Sequence, residues 1–111
     1  MTPEGKIVAY LVNRCALLGL EQRKLSYEGR NNAPDRMVWG DGAMAFIEVK
    51  AHGKKPRLLQ ERELSRLARS GCLTAVVSTE DEVDLVLGEL LSKASESVSR
   101  PSHCWRSYPD L

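Results

Sequence analysis

Asp35, Glu48 and Lys50 are the residues whose types and spacing could do chemistry together. Between the two acids lies Asp41-Gly42, a two-residue hairpin signal, because a type I′ turn takes positive φ at both central positions. With this dipeptide as the loop, Gly40 pairs with Ala43, Trp39 faces Met44, Met37 faces Phe46 and Asp35 faces Glu48. Strand side chains alternate, so the last three pairs share one sheet face, and Lys50 lies on it two residues further on. Carboxylates directly opposed across two strands repel. Met44 to Val49 is apolar on both faces apart from Glu48, which reads as a central buried strand, so the acids need partners. A divalent cation would satisfy both. Hard oxygen ligands without His or Cys beside them suit Mg²⁺, with Mn²⁺ as a substitute, better than zinc. Two other readings stand beside this one. Lys50 alone could pair with Glu48, or the hairpin could slip by one residue and separate the acids.

The elements that must position these residues follow from pattern. Thr2-Pro3-Glu4 starts a helix whose apolar residues Ile7, Val8, Leu11, Val12, Cys15 and Leu18 recur at helical spacing before Gly19. Glu4 shares the inward face of that helix. It is either a third metal-site carboxylate or a first-turn acid serving the helix dipole. Glu21 to Tyr27 reads as an edge strand or the first strand of a meander, and Glu28 to Ala33 as a polar loop. Leu58 to Ser70 is predicted as a helix closed by Gly71. Gln60, Leu64 and Leu67 lie on its inner face, and Arg62, Arg66 and Arg69 form an outer stripe, solvated or paired with Glu61 and Glu63. Leu73 to Val77 reads as a short buried strand. Thr79 with Glu82 is a capping box opening a helix to about Ser92, with Glu80, Asp81, Asp84 and Glu89 on an acidic face turned away from the site. The strand–helix–strand passage from Glu48 to Val77 implies parallel neighbours. The predicted fold is α/β, in the order αβββαβα, with a mixed sheet flanked by helices.

Gln60 points inward and needs a partner: a water at the site, a substrate phosphate or a backbone group. Ala51 to Arg57 is a basic loop carrying His52, Lys54, Lys55 and Arg57. It reads either as a DNA phosphate contact or as a merely solvated loop. His52 is one residue off the parity of Glu48 and Lys50 and is assigned as neither ligand nor base. Arg36 is either structural or a DNA phosphate contact, since it faces away from Asp35.

The 111 residues allow one small domain with one core, and a net charge of +1 means any nucleic-acid footprint comes from local charge segregation. Neither a membrane span nor a signal peptide is expected. The three cysteines, Cys15, Cys72 and Cys104, form no ligand cluster; Cys15 and Cys72 read as small buried hydrophobes in a reducing, cytoplasmic setting. Residues 1–92 are expected to form the domain. Residues 93–111, Ser-rich with Pro101 and Pro109, read as a loosely structured tail.

Pro34-Asp35 followed by Glu48-Val49-Lys50 resembles the PD-(D/E)xK nuclease signature. With Ala33 and Arg36 around the first acid, Phe46-Ile47 before Glu48, and Gln60 opening a helix, the chain more narrowly resembles the virus-type replication-repair nuclease (VRR-NUC) domain. One departure is Ala33, where family members often carry Gly. The resemblance implies a restriction-endonuclease-like core and a Mg²⁺-dependent DNA endonuclease. In it, Asp35 and Glu48 hold the metal, the Val49 carbonyl is a further ligand, and an acid in the first helix, here Glu4, is a candidate. Lys50 orients the attacking water or stabilises charge on phosphorus, and Gln60 positions water or phosphate. No nucleotide cofactor is expected. Short stand-alone relatives from phages and bacteria resemble junction-resolving homodimers, so a branched-DNA substrate, a homodimer and action in the cytoplasm (the host's, if phage-encoded) are expected. The alternatives are a flap nuclease, or a non-catalytic nucleic-acid-binding module with the same fold.

Overall fold

Thr2 caps the first helix, α1 (Pro3–Leu18), by accepting the Gly5 N–H at 3.0 Å, and Pro3 occupies the first turn, where its missing N–H costs nothing. Gly19 ends it in the left-handed conformation (φ 73°), which only glycine adopts without penalty. The chain then enters β1 (Glu21–Lys24), β2 (Arg36–Gly40) and β3 (Ala43–Val49), crosses through α2 (Leu58–Arg69) to β4 (Leu73–Val77), and continues into α3 (Glu80–Ser99). The computed structural model describes the backbone of residues 1–99 and the side chains of residues 1–94.

The sheet order is β1-β2-β3-β4, antiparallel except for the parallel β3–β4 pair that the α2 crossover requires. The hairpin register is the expected one: Gly40 opposes Ala43, Trp39 opposes Met44 and Met37 opposes Phe46. Asp41 (φ 47°) and Gly42 (φ 88°) both take positive φ, as the turn demands. Val38, Ala45, Ile47, Val49 and Val77 turn one sheet face into the core, where Leu11 and Cys15 of α1 and Val83, Leu87 and Leu90 of α3 cover it. Alternation sends Glu48 to the other face, which α2 covers at its β4 side. Further along that face Met37, Trp39 and Phe46 are half-buried and Met44 is exposed.

Four expectations need adjustment. β1 stops at Lys24 rather than running to Tyr27, although the Leu25 N–H still reaches the Asp35 carbonyl at 3.0 Å. Tyr27 lies outside the strand, and its hydroxyl reaches Glu63 on α2. β4 is an edge strand, so only Val77 is fully buried. Cys72, just before it, is half-buried, whereas Cys15 is buried and burial pushes its thiol up to about 11. Finally, α3 runs past Ser92 to Ser99: the sequence from Ser92 to Ser99 contains no Gly or Pro, and Pro101 is the first breaker. Residues 100–111, the remainder of the expected tail with Cys104, lie outside the described residues.

The Thr79–Glu82 cap is a variant of the expected box. The Glu82 N–H donates to Thr79 Oγ1 (3.1 Å), while Glu82 Oε1 accepts from the Ser78 N–H (3.0 Å) and the Thr79 hydroxyl (3.3 Å). The Ser78 N–H, with smaller help from Thr79, holds the Glu82 carboxyl below its ordinary value of 4.5. A lowered folded pKa means that this stabilisation is complete above the unfolded value and is lost as pH falls through the folded one. Glu82→Gln should therefore cost about 0.3–1 kcal/mol at pH 7, the range for a charge at a helix N-terminus. The difference between the two proteins should narrow in acid, as denaturant titrations at pH 7 and pH 3 would reveal. A gap that widened in acid would contradict this account of the cap.

Candidate active site

Asp35 lies immediately before β2, Glu48 and Val49 close β3, and Lys50 follows. The hairpin register carried one step beyond the Arg36–Ile47 pair sets Asp35 opposite Glu48. Asp35 Oδ2 accepts the Val49 N–H at 2.7 Å, which fixes that carboxylate against the end of β3. Lys50 is fixed through its backbone, because its N–H donates to the Val77 carbonyl of β4 at 2.9 Å.

Glu48 is 2% exposed. Its Oε2 receives Lys50 Nζ at 3.2 Å and Gln60 Nε2 at 3.0 Å. Its Oε1 is buried and, among the described residues, has no hydrogen-bond partner. A buried carboxylate oxygen left unpaired is costly and asks for an explanation. Burial first, and the neighbouring Asp35 charge second, push the Glu48 carboxyl above its ordinary range, with Lys50 pulling the other way. Lys50 thus pairs with Glu48 without satisfying it: one oxygen is doubly engaged while the other is bare.

Gln60 stands on the inner face of α2, as its spacing predicts, and uses both ends of its amide. Oε1 accepts the Arg57 N–H at 2.9 Å, one of the open donors at the start of α2, and Nε2 donates to Glu48. The helix start and the acid are therefore coupled through one side chain.

The other candidates are placed elsewhere. Glu4 is exposed; its Oε1 accepts the Ala51 N–H at 3.2 Å, just past the end of β3. The structure brings two acids together rather than three, and among the described residues no three Asp, Glu, His or Cys side chains gather as metal ligands. Arg36 shares the core face with Ile47, away from the acids, and its guanidinium donates to Gln22 Oε1 at 2.9 Å, bracing β1 against β2. His52, Lys54, Lys55 and Arg57 are exposed on the loop that follows Lys50. The acidic face of α3 is turned away as expected: Asp84 faces α1, where it accepts the Tyr10 hydroxyl at 2.8 Å and Arg14 Nε at 3.1 Å.

No family model matches the chain. A solved structure described as a VRR_NUC domain superposes with a TM-score of 0.75 at 39% identity, over 79% of this chain and 97% of that one. A protein of Acyrthosiphon pisum secondary endosymbiont phage 1, named "Putative nuclease p44", is 35% identical over 79 residues, which is 70% of this chain and 85% of the phage protein. The chain belongs to the VRR-NUC family. The mixed four-stranded sheet flanked by three helices is the VRR-NUC fold, and its β2–β3 register brings Pro34-Asp35 beside Glu48-Val49-Lys50.

Sequence reading missed one contact on the helix of this VRR-NUC fold that carries Gln60. The Tyr27 hydroxyl donates to Glu63 Oε2 at 2.6 Å, tying the segment that leads to Asp35 onto the helix that carries Gln60. The two residues are 36 positions apart, and no periodicity links a loop tyrosine to a helix glutamate across that distance.

Proposed function

We propose that this VRR-NUC chain is a metal-dependent DNA endonuclease acting on branched DNA, with four-way junctions cut by a homodimer. The observation that carries the metal-dependent reading is the bare, buried Oε1 of Glu48 beside Asp35. A hard divalent cation fits an anionic, all-oxygen donor set of this kind, and Mg²⁺ or Mn²⁺ suits it better than zinc. Asp35, Glu48 and the Val49 carbonyl would hold the ion. When bound, it would supply Lewis-acid polarisation of the scissile phosphate and activation of water.

The residues of the chain do the rest. Asp35 is held by the Val49 N–H and so presents its carboxylate without having to reorganise. Gln60 holds Oε2 of Glu48, which would leave Oε1 available to an ion. Lys50 keeps its ammonium 3.2 Å from Oε2 and only 20% exposed, so its positive charge acts in a poorly solvated setting. There it stabilises negative charge developing on the phosphate or orients the attacking water. The exposed basic loop of His52, Lys54, Lys55 and Arg57 leads away from Lys50 and is suited to backbone phosphates, which attract Lys and Arg regardless of sequence.

A four-way junction has two-fold symmetry, which a C2 dimer matches with paired sites. Action in the cytoplasm accords with the phage origin of the similar protein. The test is cleavage of labelled four-way junction, flap and linear duplex with Mg²⁺, Mn²⁺ or EDTA, together with sedimentation. The expected result is symmetric junction cuts by a dimer in either metal and none in EDTA. A strict monomer that prefers flaps would replace the junction reading with flap cleavage. Cutting undiminished in EDTA would overturn metal dependence.

A further inference from the structure

One turn along α2 from Gln60, Glu63 is buried with its side chain 11% exposed, and its carboxylate is surrounded. Oε2 accepts the Tyr27 hydroxyl. Oε1 lies 3.2 Å from Arg66 Nη1 and 4.0 Å from Arg30 Nη2. The Tyr27 hydrogen bond, followed by the two guanidinium groups, holds the Glu63 carboxyl below its ordinary range despite burial, and Tyr27 itself is pushed up to about 12. Glu63 is therefore a fixed anion at the floor of the cluster. Arg66, 53% exposed, commits one nitrogen to Glu63, while Arg30, 66% exposed, stands at ion-pair distance from it, so most of their donors face solvent. Between them opens a cleft of about 270 Å³, which Asn31 and Asn32 also line.

Two cations against one anion leave this cleft a net positive charge. A buried carboxylate that orients guanidinium groups also lowers the entropy cost of using them. The cleft is linked to the proposed active site through the chain: Arg30 is five residues before Asp35, and Glu63 is three residues after Gln60 on α2. We propose that Arg30 and Arg66, faced by a Glu63 carboxylate that Tyr27 fixes, grip a backbone phosphate of the bound DNA. This rests on the nuclease reading above and adds to it a phosphate subsite outside the basic loop.

The test is binding of a fluorescein-labelled DNA duplex by the full chain in EDTA, followed by anisotropy across a salt series. Each phosphate contact contributes about 0.9 to the slope of log K against log salt, so Arg30→Gln and Arg66→Gln should each flatten it by about one, and the double variant by about two. Lys93→Gln removes the same charge from α3, across the sheet, and should leave the slope unchanged. Arg30 lies in an exposed loop, so Arg30→Gln reads out the subsite even if Arg66→Gln is unstable. Variants with the wild-type slope, or a loss equal to that of Lys93→Gln, would overturn the subsite while leaving the nuclease reading intact. A wild type that neither binds nor cuts DNA would remove both.

Discussion

Asp35→Asn should melt at a higher temperature than wild type in EDTA and at a lower one in saturating Mg²⁺. Asparagine keeps the size of the side chain, and its carbonyl oxygen can still accept the Val49 N–H that Asp35 Oδ2 accepts at 2.7 Å. What it removes is a charge opposite the buried Glu48, whose carboxyl the Asp35 charge helps to raise. Like charges across a strand pair cost about 0.2–1 kcal/mol at an accessible site, and more where burial lowers the dielectric. Without divalent ions the variant is therefore relieved of that cost. With Mg²⁺ at about a hundredfold excess over Kd, wild type gains about 2.7 kcal/mol by linkage. In a domain of this size that is a rise of roughly 10 °C or more. The variant, with one anionic ligand fewer, gains little. Melting curves in both conditions would settle the order of the two proteins. If Asp35→Asn is the less stable protein in EDTA and gains as much from Mg²⁺ as wild type, Asp35 neither opposes Glu48 nor binds the ion.

The hairpin was legible because its information is local. Asp41-Gly42 permits one tight turn, and once that turn is set, strand alternation places Asp35, Glu48 and Lys50 without further choice. Gln60 was legible in direction but not in partner. Helical spacing turns it inward, yet nothing in a period of 3.6 says that its amide divides between the Arg57 N–H and Glu48 Oε2. The Tyr27–Glu63 contact was invisible because it depends on β1 ending early and the following segment crossing to α2, a tertiary event that overrides strand propensity. Glu4 was legible only as two alternatives, a metal-site acid or a first-turn acid; in the first turn of α1 it is exposed and its Oε1 accepts the Ala51 N–H, next to Lys50. The end of α3 was misjudged from composition: serine richness was read as looseness, whereas no Gly or Pro interrupts Ser92 to Ser99.

Glu48→Gln and Lys50→Ala should carry the largest functional effect. Glutamine preserves the volume of Glu48 and can still accept the Gln60 N–H, but it removes the anionic oxygen whose bare, buried position motivates the ion site. Lys50→Ala removes the cation held 3.2 Å from Oε2. A preorganised electrostatic group at a reacting centre is worth about 10²–10³ in rate, so each variant should lose at least that much in single-turnover cleavage. DNA binding in EDTA should be broadly unchanged, because phosphate contacts dominate affinity and these two residues lie in a poorly solvated pocket. Circular dichroism would verify that both variants fold, which matters most for Lys50→Ala, where the Glu48 charge is left without its lysine. The most direct measurement is single-turnover cleavage of a labelled four-way junction by wild type and Glu48→Gln, side by side across a Mg²⁺ titration. The expected result is cleavage by wild type that rises with Mg²⁺ and a folded, DNA-binding Glu48→Gln protein that does not cut at any Mg²⁺ concentration. A Glu48→Gln protein as active as wild type would contradict the assignment of this site.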